Sequence, residues 1–181
     1  MTAPAPNRAD TSGSVSVELL LDESSELAVR SDWGALAARG MSSLAAHTGS
    51  SNRPHITLYS GASAELAEAL SGAAVAVPVA IAIGAPILFG EGPRRVLARS
   101  VARSDALTEL HAAVFDQLRG GSDNLRYRPG SWIPHVTIAR RLQVASLDTA
   151  LALLGPSIDA TAVGIRLWNS QTRTVTLIAG R

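Results

Sequence analysis

The chain has 181 residues, 46% of them hydrophobic, which is enough apolar material for one packed domain or two small lobes sharing a core. Its formal net charge is +1 and all 16 of its basic residues are arginine, so no overall positive field argues for non-specific duplex binding. There is no cysteine, which excludes disulfides and thiolate metal sites.

The guanidinium fork suits phosphate and carboxylate locally, although the wealth of Ala, Gly and Arg is equally a mark of a GC-rich genome. Residues 1–13 lack the apolar core of a signal peptide and read as a disordered arm. The longest apolar stretch, Ala73 to Phe89, contains Pro78, Gly84 and Pro86 and is rich in Val and Ile, so it reads as strand and not as a membrane helix. The expectation is a soluble cytoplasmic protein with no membrane contact, no implied protein partner and a monomeric state.

From residue 14 the chain reads as one domain. Val15 to Leu21 alternates and then fills with aliphatics, as a strand does. Asp22 to Ser25 offers capping side chains for a helix from Glu26 to about Ala46, with Leu27, Trp33, Leu36, Ala37 and Leu44 toward a core and Gly34 or Gly40 as breaks. Glu23 and Glu26 read as helix-surface charges. His47 to Arg53 is loop by composition, and leads into a strand beginning at His55. Ser63 starts a short helix through Leu70, and strand residues follow from Val75 to Phe89. The Gly90 to Arg95 turn lacks the context of a phosphate-cradling loop and reads as a hairpin connection.

The second half runs the same programme. Arg94 to Val101 is a strand, and Ser104 caps a helix over Asp105 to Leu118 whose Leu107, Leu110, His111, Val114 and Leu118 recur at helical spacing. His111 therefore reads as a core histidine. Gly120 and Gly121 stop that helix, and a loop from Ser122 to Trp132 leads into a strand beginning at His135. A short helix from Ser146 to Leu154 and strands at about Ile158 to Trp168 and Thr172 to Ala179 complete the chain. The repeated order gives pseudo-repeats at about 15–90 and 94–179.

The predicted class is α+β: two pseudo-symmetric lobes, each an antiparallel sheet with helices on its outer face, around a central cleft. Which strands pair is not legible, beyond the expectation that one lobe's first strand crosses into the other's sheet.

Both halves carry one motif, Pro54-His55-Ile-Thr57-Leu and Pro134-His135-Val-Thr137-Ile. Alternation along a strand puts His55 with Thr57, and His135 with Thr137, on one face above apolar neighbours. Two imidazoles in one cleft suit a reaction in which one proton is delivered and another removed, and phosphodiester hydrolysis is such a reaction. The threonine hydroxyls would donate to phosphoryl oxygens as charge develops there. No carboxylate lies inside either run to complete a metal site, so no metal and no cofactor is expected.

The doubled motif resembles the twin His-x-Thr-x signature of the 2H phosphoesterase superfamily, and most closely its 2′-5′ RNA ligase and cyclic phosphodiesterase branch. The resemblance implies two lobes about a cleft, with His55 and His135 as acid and base and Thr57 and Thr137 holding phosphate. The activity it implies is that of a phosphodiesterase, or of the reversible ligase of the same chemistry, on an RNA end or small nucleotide with a 2′,3′-cyclic or 2′-5′ phosphodiester bond. Arg126, Tyr127, Arg128 and Trp132 interleave guanidinium groups with rings able to stack a base, the alternative being that Tyr127 and Trp132 pack their loop. Arg53, Tyr59 and Arg141 join Arg126, Arg128 and Trp132 as candidate substrate-binding residues, with Arg141 on the His135 face if that strand stays regular. Two other readings share the sequence: a nucleotide- or RNA-binding module without turnover, and an interaction domain that buries both motifs.

Overall fold

The computed structural model describes residues 15–62, 70, 76–118 and 125–180. The expected arm, the expected helix after Ser63 (apart from Leu70, which is buried) and the Gly120-Gly121 stop lie outside the described residues. The described elements are β1 (Val15–Leu21), α1 (Glu23–Ala38), β2 (His55–Ala62), β3 (Val79–Phe89), β4 (Arg94–Val101), α2 (Asp105–Leu118), β5 (His135–Gln143), α3 (Leu147–Leu153), β6 (Ile158–Asn169) and β7 (Thr174–Gly180). Among them no helix is long and apolar enough to cross a membrane.

All strand pairs are antiparallel, and the pairing closes on itself: β1, β2, β5, β4, β3, β6 and back to β1, with β7 attached to β6. The closure exchanges strands between the repeats. β1 pairs with its own β2 and with β6 of the second half, while β4 pairs with its own β5 and with β3 of the first half. It is thus the third strand of each half, β3 and β6, that crosses, because the paired strand edges must be satisfied and the long β6 can reach β3 through 158–162 and β1 through 162–169. At the β2–β5 seam only Ile56 and Val136 pair, so the sheet parts there on both sides of one contact.

α1 begins where Asp22 accepts the Ser25 backbone N–H at 3.0 Å and, with its other oxygen, the Thr161 N–H at 2.7 Å. One carboxylate therefore starts the helix and docks it to β6. Burial would raise the Asp22 pKa, but donors from Ser24, Ser25 and Thr161 outweigh it and hold the group well below the usual carboxylate range. The helix ends at Ala38, ahead of Gly40 at φ +68°, well short of Ala46; the remainder is a loop with a short 3-10 turn at Leu44–Ala46. Trp33 and Leu36 enter the core, whereas Leu27 is 60% exposed, since nine residues of helix put it on the face opposite Leu36.

The spacing in α2 is fulfilled position by position: Leu107, Leu110, His111, Val114 and Leu118 are all buried. His111 stacks face to face on Trp132, with ring centroids 3.9 Å apart and an interplanar angle of 1°. Burial and the nearby Arg103 push its pKa down to about 4, against opposing bonds with the Leu58 and Tyr127 backbone. The unfolded chain thus binds a proton at this ring between about pH 6.5 and 4 that the native state refuses, so the stability is present above that window and lost as pH falls through it. The expected loss is ~3 kcal/mol. Urea midpoints at pH 7 and pH 4.5 should fall less steeply for His111→Phe than for the wild type; equal slopes would place the acid sensitivity elsewhere.

Candidate active site

His55 and His135 open their strands, and in both the strand's approach curls so that ring Nδ1 lies 2.7 Å from the backbone oxygen two residues earlier, Arg53 and Ile133 respectively. With Nδ1–H donated to a carbonyl, each ring presents Nε2 for chemistry: a lone pair when neutral, an N–H when protonated. Antiparallel pairing through Ile56 and Val136 sets His55 across from Thr137 and Thr57 across from His135, all four on one face. Burial, with His55 as a charged neighbour, pushes His135 below the ordinary imidazole value, against the bond to Ile133.

Two tryptophans hold the motif strands crosswise. Trp33 of α1 donates its indole N–H to the Thr137 carbonyl at 3.1 Å, and Trp132, before β5, donates to the Thr57 carbonyl at 2.9 Å. Each half thereby grips the other's motif where β-ladder bonds are sparse. The two threonine hydroxyls have no protein partner among the described residues, which leaves them available to a ligand.

The surroundings of the two rings differ. Beside His55 lies a cavity of about 220 Å³, lined among others by Glu18, His47, Arg140, Arg166 and Trp168. Glu18 is 3% exposed, and its Oε2 takes two bonds from Arg166, from Nε at 2.8 Å and Nη2 at 2.7 Å. Its Oε1 accepts the Ser16 hydroxyl at 2.7 Å and stands 3.6 Å from His55 Nε2. A carboxylate thus does reach the first motif, from β1 and not from within the run. Around His135 the neighbour is instead Phe89, with ring centroids 4.5 Å apart. No three His, Asp or Glu side chains cluster as metal ligands would among the described residues.

Several expected binding residues lie elsewhere. The Arg53 side chain turns to α1, where its Nε and Nη2 meet Glu26 at 2.8 and 2.7 Å, so Glu26 is an ion-pair partner and not a solvated charge. Tyr59 shares the His55 parity along β2, but Phe115 and Tyr127 cover that end of the strand and leave it 1% exposed. Trp132 is spent on His111 and the Thr57 carbonyl and is 5% exposed, so it packs the loop and does not offer a ring to a base. Arg126 and Arg128 are exposed and do not line the cavity.

Arg141 is displaced by β-bulges. β5 spends extra residues against β4 between Thr137 and Leu142, so alternation breaks and Arg140, not Arg141, lines the cavity. Glu18, Arg166 and Trp168 escaped the sequence reading. Their signal was present, since Glu18 is the sole charge in VSVELLL and Arg166 the sole charge in VGIRLW, a pattern that opposite charges buried together produce.

A family model described as the 2′-5′ RNA ligase superfamily matches residues 28–174. The chain belongs to that superfamily. This 2H phosphoesterase resembles TT0787 of Thermus thermophilus at 19% identity and TM-score 0.60, over 92% of this chain and 95% of that one. It resembles E. coli LigT complexed with 3′-AMP at 14% identity and TM-score 0.58, over 92% and 95%. Kluyveromyces marxianus Usb1 with uridine monophosphate aligns at 11% identity and TM-score 0.54, over 92% and 98%. At such identities the likeness to these structures is one of fold. No curated protein matches the chain.

Proposed function

We propose that this 2H phosphoesterase hydrolyses 2′,3′-cyclic or 2′-5′ phosphodiester bonds of RNA ends or small nucleotides, without a metal, by two-histidine acid–base catalysis. The observation that carries the reading is the matched tethering of both rings, each with Nδ1 held 2.7 Å from a backbone carbonyl and the opposite nitrogen turned away from that tether, at His55 toward the Glu18 carboxylate 3.6 Å off. A module that only bound nucleotide would have no use for two prepared proton-transfer groups. Support for a nucleotide substrate comes from E. coli LigT and Usb1, whose structures hold 3′-AMP and uridine monophosphate.

In the proposed step a water's oxygen forms a bond to phosphorus while the bond from phosphorus to a ribose oxygen breaks. His135, held below the ordinary imidazole value and hence neutral near pH 7, takes the water's proton at Nε2. His55 in its protonated form gives the Nε2 proton to the leaving ribose oxygen. Thr57 and Thr137 donate hydroxyl hydrogens to the non-bridging oxygens as their charge grows. Exchange with solvent restores both rings.

The test is ring opening of a nucleoside 2′,3′-cyclic phosphate by the purified protein after exhaustive EDTA treatment. Full turnover is expected, and added Mg²⁺ or Zn²⁺ should not raise it. Turnover that disappears with chelation and returns with a divalent ion would make the two-histidine scheme untenable.

A further inference from the structure

We infer that Arg30 and Arg103 are a matched pair of positioning residues, which aim the backbone carbonyls that keep Nδ1 of His55 and His135 protonated and Nε2 free for proton transfer. This role rests on the proposed hydrolysis and adds to it the groups that hold the two rings in place. Each ring is tethered through Nδ1 to the carbonyl two residues before it, at Arg53 and at Ile133. One residue earlier still, the carbonyl is itself taken by a guanidinium. Arg30 Nη2 donates to the Asn52 oxygen at 2.8 Å, and Arg103 Nη2 donates to the Trp132 oxygen. Asn52 and Trp132 occupy the same place, three residues ahead of their histidines.

Inheritance from the duplication does not account for the match. The motif histidines stand 80 residues apart, yet the residue 80 beyond Arg30 is Leu110 and the one 80 before Arg103 is Glu23. Arg30 lies inside α1, whereas Arg103 lies between β4 and α2. Two arginines from unlike places thus reach the like carbonyl in both halves, so the contact itself is what the two sites share. Its use follows from the prolines. The tether carbonyl belongs to the Arg53–Pro54 or Ile133–Pro134 peptide, whose nitrogen carries no hydrogen and cannot be anchored in a ladder. Proline also confines the residue before it to extended backbone. With those torsions narrowed, the peptide plane ahead decides where the tether carbonyl points, and the arginine grips that plane by its oxygen.

Each arginine has a second hold. Glu26 accepts Arg30 Nε at 2.9 Å and also pairs with Arg53, and Arg30 Cζ stands 5.5 Å from the centroid of the Trp33 ring. Arg103 grips Trp132 by its backbone. These are the two tryptophans that donate to the Thr137 and Thr57 carbonyls, so each arginine links one motif to the other. The chemical consequence differs between the rings. A neutral imidazole carries its proton on one nitrogen only, and a proton moved from Nδ1 to Nε2 removes the lone pair that a base needs. That loss falls on His135, the base of the proposed step. His55 acts in its doubly protonated form and needs its arginine for orientation alone. At His55 a rival acceptor is in place, since Glu18 Oε1 stands 3.6 Å from Nε2.

The test reads the rings directly. Nitrogen-15 spectra of histidine-labelled protein at about pH 9, where ordinary imidazole is neutral, show which ring nitrogen bears the proton, and His55→Ala and His135→Ala assign the signals. The wild type should show Nδ1 protonated in both rings. Arg103→Gln should shift part of the His135 population to Nε2–H and leave His55 unchanged. Arg30→Gln should do the reverse, with the His55 proton drawn toward Glu18. A merely loosened fold would disturb both rings together. On a nucleoside 2′,3′-cyclic phosphate, Arg103→Gln should lower kcat by up to about 100-fold, the scale of a misplacement by about 1 Å, and Arg30→Gln by less, with KM nearly unchanged. Arg103→Lys, which keeps a donor for the carbonyl, should recover part of the rate and of the Nδ1–H signal.

Wild-type ring signals in both folded Gln variants, with turnover by the wild type, would overturn the positioning role and leave the hydrolysis standing. If the wild type opens no cyclic phosphate, the proposed reaction fails instead, and the ring spectra still decide the arginines. The Arg30 side chain is 39% exposed on a helix surface, so its loss leaves the fold intact. Should Arg103→Gln not fold, an unchanged His55 ring in Arg30→Gln rejects the inference by itself.

Discussion

Replacing His55 or His135 by alanine is expected to lower kcat/KM for a 2′,3′-cyclic phosphate by about 10²–10⁴, the usual worth of one positioned acid or base. The wild-type profile should be a bell, because the reactive form needs one ring neutral and the other protonated, and its two limbs belong to the coupled pair. Burial lowers His135, so the acidic limb should lie below the ordinary imidazole value, and His135→Ala should remove that limb. His55→Ala should remove the basic one. Thr57→Ala and Thr137→Ala should reduce the rate while keeping the bell, since their hydroxyls stabilise charge and move no proton in the proposed step. The measurement is a pH–rate profile for wild type and the four variants. A flat wild-type profile between about pH 5 and 9 would mean that imidazole is not the titrating group.

The second large effect concerns stability, away from the cleft. Arg99 of β4 and Asp32 of α1 are both nearly inaccessible, at 2% and 4%, and their Nε and Oδ2 atoms are 2.8 Å apart. Arg99 also donates to the Pro156 carbonyl at 2.7 Å and to the Gly155 carbonyl, and Asp32 Oδ1 accepts the Gly155 N–H at 2.9 Å. One ion pair thus joins the first helix, a strand of the second half and the loop after α3. Arg99→Met should cost about 3–5 kcal/mol, because it strands Asp32 without its partner in a place water does not reach. The double variant Asp32→Leu/Arg99→Met should recover much of that loss, since apolar residues carry no desolvation penalty. Urea unfolding of wild type, single and double variants measures both. A single variant within about 1 kcal/mol of wild type would show that water reaches the site after all.

The strands, the helices and the doubled motif were legible because each rests on local physics. Alternation marks β1 and the two motif strands, while apolar spacing marks α2 down to the buried ring of His111. The helix-ending effect of Gly40 was visible in outline, and the exposure of Leu27 follows from its standing half a turn of the helix away from buried Leu36. By itself, then, the sequence determined the α+β class, the two-fold repetition and the four motif side chains.

The tertiary structure decided what surrounds them. Arg53, Tyr59, Trp132 and Arg141 all stand near the motifs in sequence, and each is diverted by something non-local: Glu26 on α1, the cover of Phe115 and Tyr127, the His111 stack, and the β5 bulges. In their place come Glu18 from β1 and Arg166 and Trp168 from β6, brought beside His55 because the third strand of each half pairs with the first strand of the other. A chain's alternation says which face a side chain takes, but pairing partners are chosen by edges that must find hydrogen bonds and by faces that must find cover. Those choices join residues more than a hundred positions apart, and only the folded chain makes them.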